Sequence, residues 1–204
     1  MKTYENFRSV LRENWRTYLL INVVVYGTLV ATMVVTALTP GMQEAGLENV
    51  DAFLDAPGAS SVVAAYESGN FVMMTLATFL GNLLFAALLT TTLPSLAIPF
   101  FGVAATVWRA VFIGVPYAPT SAEGAMTLLA VSPVLVIEFQ AYVLAMLGSV
   151  VLWRSTFGYR RRQLPSARAG YRAGFRDNIR LYPAIVVMLL GIALVEAVTY
   201  AFLH

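Results

Sequence analysis

Three ionisable residues stand inside otherwise apolar stretches of this 204-residue chain: Arg109, Glu138 and Glu196. A charge at the centre of a bilayer-length segment costs at least ~2.5 kcal/mol on insertion scales, so such residues face protein or water and pair. Measured from the ends of their segments at ~1.5 Å per residue, all three lie roughly 20 Å up, at one level. Arginine suits such a cluster because its guanidinium stays charged and its fork can bond two carboxylates. The trio reads as a buried Arg–Glu lock between helices. It reads alternatively as the lining of a path for a proton, cation or small solute, with Gln140, Tyr142 and Tyr200 as polar neighbours.

Other chemistries find no foothold. The chain has no cysteine and a single histidine, His204, so no thiolate, metal site or cofactor is expected. The zincin, Walker, G-x-S-x-G and dinucleotide patterns are missing, and Ser132 and Ser149 have no histidine or lysine base near them in sequence. The expectation is a non-enzyme.

The elements that must position the trio follow from composition. Hydrophobic residues make up 59% of the chain and charged ones 12%, against roughly 45–50% and about 25% in soluble domains. Mean hydropathy is +0.73. A soluble fold of this size could not hide so much apolar surface. The fold class is therefore an all-α, polytopic membrane helix bundle forming a single domain over residues 1–204. Five transmembrane helices of ~20 residues each are read at 18–38, 71–93, 96–115, 128–153 and 181–203. The first run, of about 21 apolar residues, is too long for a signal-peptide core of 7–15 and reads as a retained anchor.

Charge sets the orientation. Lys2, Arg8, Arg12 and Arg16 fill an amphipathic N-terminal segment, 1–17, and the loop 154–180 holds eight arginines against Asp177. The loop 39–70 carries Glu44, Glu48, Asp51, Asp55 and Glu67 with no Lys or Arg. Basic flanks stay in the cytoplasm. The reading is a multi-pass protein of the cell membrane, N-terminus cytoplasmic, acidic loop outside and His204 outside.

Arg168, Arg172, Arg176 and Arg180 recur every four residues beside Tyr171, Phe175 and Ile179; Arg8, Arg12 and Arg16 stand similarly beside Tyr4, Phe7 and Leu11. Such segments lie in the interface with arginines near phosphates, or simply enforce topology. The partners expected are the lipid bilayer, with anionic lipids on the inner face, and further copies or other membrane subunits; nucleic acid is not among them. Ala141, Ala145 and Ser149, with Gly148 beside them, form a small-residue ridge that seats a neighbouring helix. Residues 94–99, with Pro94 and Pro99, read as a tight turn or a re-entrant segment. Leu47–Leu54 reads as a short helix in the outer loop.

Several stretches resemble one family. Ser68-Gly69-Asn70-Phe71 followed by Gly81, the run Leu129–Ala141 containing Glu138, and Leu189–Ala197 containing Glu196 are similar to segments of the stage II sporulation protein M family. Pro99-Phe100-Phe101-Gly102 and Pro133 depart from its pattern. The resemblance implies an integral membrane component of a larger assembly, with Glu138 and Glu196 as the residues carried over. Twelve arginines against one lysine and the acidic outer loop fit an archaeal source.

Overall fold

The structure is a computed structural model and describes residues 2–56 and 59–203; His204 lies outside the described residues. It is all-α. Helix α1 (Lys2–Glu13) breaks at Asn14, whose side-chain amide donates to the Val10 carbonyl, before α2 (Trp15–Leu38). Pro40 and left-handed Gly41 turn the chain into α3 (Met42–Leu54), followed by α4 (Ser60–Glu67). The Asn70 side chain then accepts from the Val72 and Met73 amides and starts α5 (Phe71–Leu80), supplying partners to two otherwise orphaned donors. A π-helical segment, Gly81–Thr92, runs on into α6 (Leu93–Ala97). α7 (Phe101–Gly114) returns, and Ser121 caps α8 (Ala122–Phe157), which a turn joins to α9 (Ala167–Leu203).

Four helical stretches are long and apolar enough to cross a bilayer: Trp15–Leu38, Phe71–Ala97, Ala122–Phe157 and the α9 stretch. The expected fifth, 96–115, is the shorter α7, which runs from Gly102, beside Ser149 of α8, to Gly114, beside Leu29 and Thr32 of α2. At ~1.5 Å per residue, the fourteen residues of α7 rise about 21 Å, short of a hydrocarbon core of ~30 Å. The expected 71–93 and 96–115 boundaries also move. Pro94 lies within the continuous stretch Phe71–Ala97, where the π-helical segment passes into α6, and does not end it. The chain reverses instead at Ile98-Pro99-Phe100, with Phe100 in the left-handed region at φ 59°. Residues 94–99 are thus a helix end and a turn.

A second correction concerns the basic segment 168–180. It is not a separate interfacial helix but the first third of α9, continuous with the expected last span. The reason lies in its packing face. Gly170, Gly174 and Asn178, spaced by four, lie against Ser155, Leu152 and Gly148 of α8, so the two backbones come too close for side chains to intervene. The face continues through buried Leu181, Ile185 and Leu189. α8 and α9 make the most extensive contact in the molecule, and every residue from Ala141 to Ser149 is buried.

The N-terminal segment packs as its pattern implies: Val10 is buried, Phe7 and Leu11 lie against the core, and Arg8, Arg12 and Arg16 are exposed. In the α8–α9 turn, exposed Gln163 holds φ 55°. A left-handed L-residue costs about 1–2 kcal/mol, while glycine's extra entropy costs about 0.5–1 kcal/mol. Gln163→Gly is therefore expected to stabilise slightly, read as a melting-temperature rise of a few degrees in detergent.

Candidate functional site

Arg109, Glu138 and Glu196 are each partly buried, on α7, α8 and α9. Among the described residues no ion pair joins them; the recorded pairs are Arg162 and Arg180 with Asp177, at 3.4 and 2.9 Å. The expected Arg–Glu lock is corrected on this point, because a tyrosine stands between the charges. The Arg109 guanidinium lies over the Tyr142 ring, 4.4 Å from its centroid. The Tyr142 hydroxyl donates to Glu138 Oε1 at 2.6 Å and reaches Asn82 Oδ1 at 3.1 Å. One proton serves both contacts, so the nearer carboxylate oxygen is the principal acceptor. Tyr142 itself is 1% exposed.

Arg109 also reaches the π-helical segment. Its Nη2 donates to Thr90 Oγ1 at 2.7 Å and to the Ala86 carbonyl at 3.2 Å. Thr90 and Thr91 hydroxyls donate to that same carbonyl, at 2.8 and 2.9 Å. Three side-chain donors thus converge on one backbone oxygen. Tyr182 of α9 donates to Thr92 Oγ1 at 2.7 Å. The buried residues of this segment are Ala86, Ala87, Thr91 and Thr92. Their i, i+5 spacing matches π-helical hydrogen bonding, and π-turns recur at functional sites.

Glu196 makes no hydrogen bond among the described residues, and it lies within electrostatic reach of Glu138. Tyr117, just past α7, feels both carboxylates: partial burial first, then Glu138 and Glu196, raise its phenol above the usual range. Tyr66 on α4 donates to or accepts from Thr78 at 3.0 Å and meets Tyr200 edge-on at 5.0 Å. Burial raises its phenol too, with Glu196 adding to the shift.

A second polar constellation joins α2 to α8. Gln140 Oε1 accepts from Tyr18 at 2.7 Å, and its Nε2 donates to Asn22 Oδ1 at 2.6 Å and Tyr26 at 2.9 Å. Tyr26 in turn donates to the Val136 carbonyl at 2.7 Å. Tyr18, Asn22 and Tyr26 stand at i, i+4, i+8 on one face of α2, a pattern in the sequence that marks them as a unit. Asn82, Tyr117 and Tyr66 carried no such signal.

Two cavities open near the α2–α3 and α7–α8 connections. One, of ≈ 260 Å³, is lined by Gln43, Tyr117, Ser121 and Glu123 among others. The other, of ≈ 180 Å³, lies beside Thr36, Pro40 and Thr120. Gln43 braces this region, its Nε2 donating to the Pro116 and Ala118 carbonyls at 2.9 and 2.8 Å and its Oε1 accepting from Thr120.

Arg8, Arg12, Arg16, Arg168, Arg172 and Arg176 are exposed, while Arg180 is partly buried against Asp177. Fold and composition together have the build of a multi-pass membrane protein. Comparison with family models, curated proteins and solved structures finds no match to this chain.

Proposed function

We propose that the chain is an integral membrane scaffold or complex subunit, of the kind its resemblance to stage II sporulation protein M implies. It sits with α1 and the 154–180 region in the cytoplasm beside the anionic leaflet, and works beside further copies or other membrane subunits. The observation that carries this reading is the Arg109–Tyr142–Glu138 chain. It spends its polar groups on joining the π-helical segment, α7 and α8. Purified protein in liposomes is expected to pass protons and monovalent cations at background rate, with wild type and Glu138→Gln alike. Wild-type flux abolished by that substitution overturns the scaffold.

One observation favours the alternative, a channel or transporter subunit. Glu196 has no hydrogen bond among the described residues and lies within electrostatic reach of Glu138, and Tyr117, which senses both, lines the ≈ 260 Å³ cavity. The same flux assay decides between the two.

Orientation has its own test, made clean by the absence of native cysteine. In intact cells a membrane-impermeant maleimide is expected to label Asp55→Cys and to reach Arg161→Cys only after permeabilisation. The opposite pattern inverts the topology.

A further inference from the structure

We propose that the basic end of the bundle is a binding surface for acidic phospholipid headgroups, held between α1 and the first turns of α9. The proposal rests on the membrane reading above but not on which side faces the cytoplasm. Over residues 2–16 and 154–180 the sequence carries twelve basic residues against Glu5, Glu13 and Asp177. Asp177 is already taken by Arg162 and Arg180. Arg8 and Arg12 on α1, and Arg172 and Arg176 on α9, are exposed and make no ion pair among the described residues. The two helices touch, and Val10, Phe7 and Leu11 seat α1 on the core. α1 and the start of α9 thus lie at one end of the bundle, where Arg154 of α8 also donates to Thr17 of α2.

What selects a lipid over a soluble anion is the apolar surface interleaved with this charge. The α8-packing face of α9 is Gly170, Gly174, Asn178 and Leu181, which leaves Phe175 and Ile179 at the surface, the latter 53% exposed. Trp15, at the start of α2, is 53% exposed and carries the Arg16 guanidinium 5.4 Å from its ring centroid. Phe157, at the end of α8, is 63% exposed. Indole and phenyl rings beside arginines at the point where apolar helices begin match the headgroup layer of a bilayer. A phosphate there meets the guanidiniums while its acyl chains cover the rings. A soluble partner would satisfy the charge and leave the rings wet.

The test is native mass spectrometry of the full-length protein extracted from nanodiscs containing equal phosphatidylglycerol and phosphatidylcholine. Phosphatidylglycerol is expected to be retained about tenfold over phosphatidylcholine. The variant R8Q/R12Q/R172Q/R176Q should bring retention to the phosphatidylcholine level, and the same four positions as lysine should keep most of it. R160Q/R161Q, in the turn beyond these arms, removes charge without touching them and should leave the preference intact. Equal retention of the two lipids in the wild type overturns the proposal. So does equal loss in R160Q/R161Q, which would mean diffuse attraction without a defined surface. Carbonate extraction distinguishes the two failures. Release of the wild type from membranes defeats the membrane reading itself, whereas retention without lipid preference defeats only this proposal.

Discussion

Gly174→Ala is expected to lower the stability of the folded chain by about 1–3 kcal/mol, and Gly170→Ala by a similar amount. A methyl group at 174 would stand 2.7 Å from Leu152 Cα and 2.9 Å from its carbonyl oxygen, and one at 170 would collide with the Ser155 carbonyl. Both obstacles are backbone, so neither can rotate away, and α8 and α9 must separate. Alanine's better helix propensity returns at most about 1 kcal/mol, too little to offset a disrupted interface. Gly191→Ala is the control, since a Cβ there meets nothing within 4 Å, and it should be neutral or slightly stabilising. Unfolding in detergent by heat or by SDS titration reads all three. If Gly174→Ala melts with Gly191→Ala, the close contact is not what holds the pair.

Tyr142→Ala is the second large effect, expected at about 3–5 kcal/mol, the cost of deleting a buried aromatic ring. Tyr142→Phe keeps the ring for Arg109 and for the edge-on contact with Phe139 at 5.9 Å. It removes only the hydroxyl, leaving Glu138 without its 2.6 Å donor, and should cost about 1–3 kcal/mol. The difference between the two variants reports what the ring contributes under the guanidinium. Equal losses would show that the hydroxyl alone carries the site. Unfolding measured with a charge-neutral detergent keeps Arg109 unscreened for this comparison.

How much of this was legible in the residues depends on which physical signal each feature leaves. Long apolar runs announce bilayer-length helices whatever they pack against, so α2 and the apolar parts of α5–α6, α8 and α9 were readable. The continuity of α9 was not, because arginines at 168–180 mark the end of a span equally well whether the helix stops or continues. What decides it is Gly170 and Gly174 facing α8, and a sequence does not say which face meets a neighbour. The reversal at Pro99 and not Pro94 has a similar origin: either proline can end a helix, and Pro94 is accommodated where the π-helical segment passes into α6. The inward set Ala86, Ala87, Thr91 and Thr92 escapes any search at a period of 3.6, since its spacing is five. Charge placement told where Arg109 and Glu138 had to find partners. It placed Tyr142 near the charges but could not tell that its ring would stand between them, because an i, i+4 neighbour of Glu138 says nothing of where α7 brings Arg109.

The burial of α8 between earlier and later helices has a consequence for biogenesis. Tyr18, Asn22 and Tyr26 enter the bilayer with α2 and Arg109 with α7, yet their partners Gln140 and Tyr142 lie on α8. At about 5–20 residues per second, the ribosome reaches Gln140 roughly 6–24 s after Asn22. Through that interval the Asn22 amide can bond the Tyr18 carbonyl of its own helix, but the Tyr18 and Tyr26 hydroxyls have only lipid, water at the insertion site or a helper protein. The last helix then closes on α8 through glycine contacts that admit no partial register. The chain is assembled around its penultimate helix, so a nascent chain stalled before residue 140 exposes to the membrane the groups the finished bundle conceals.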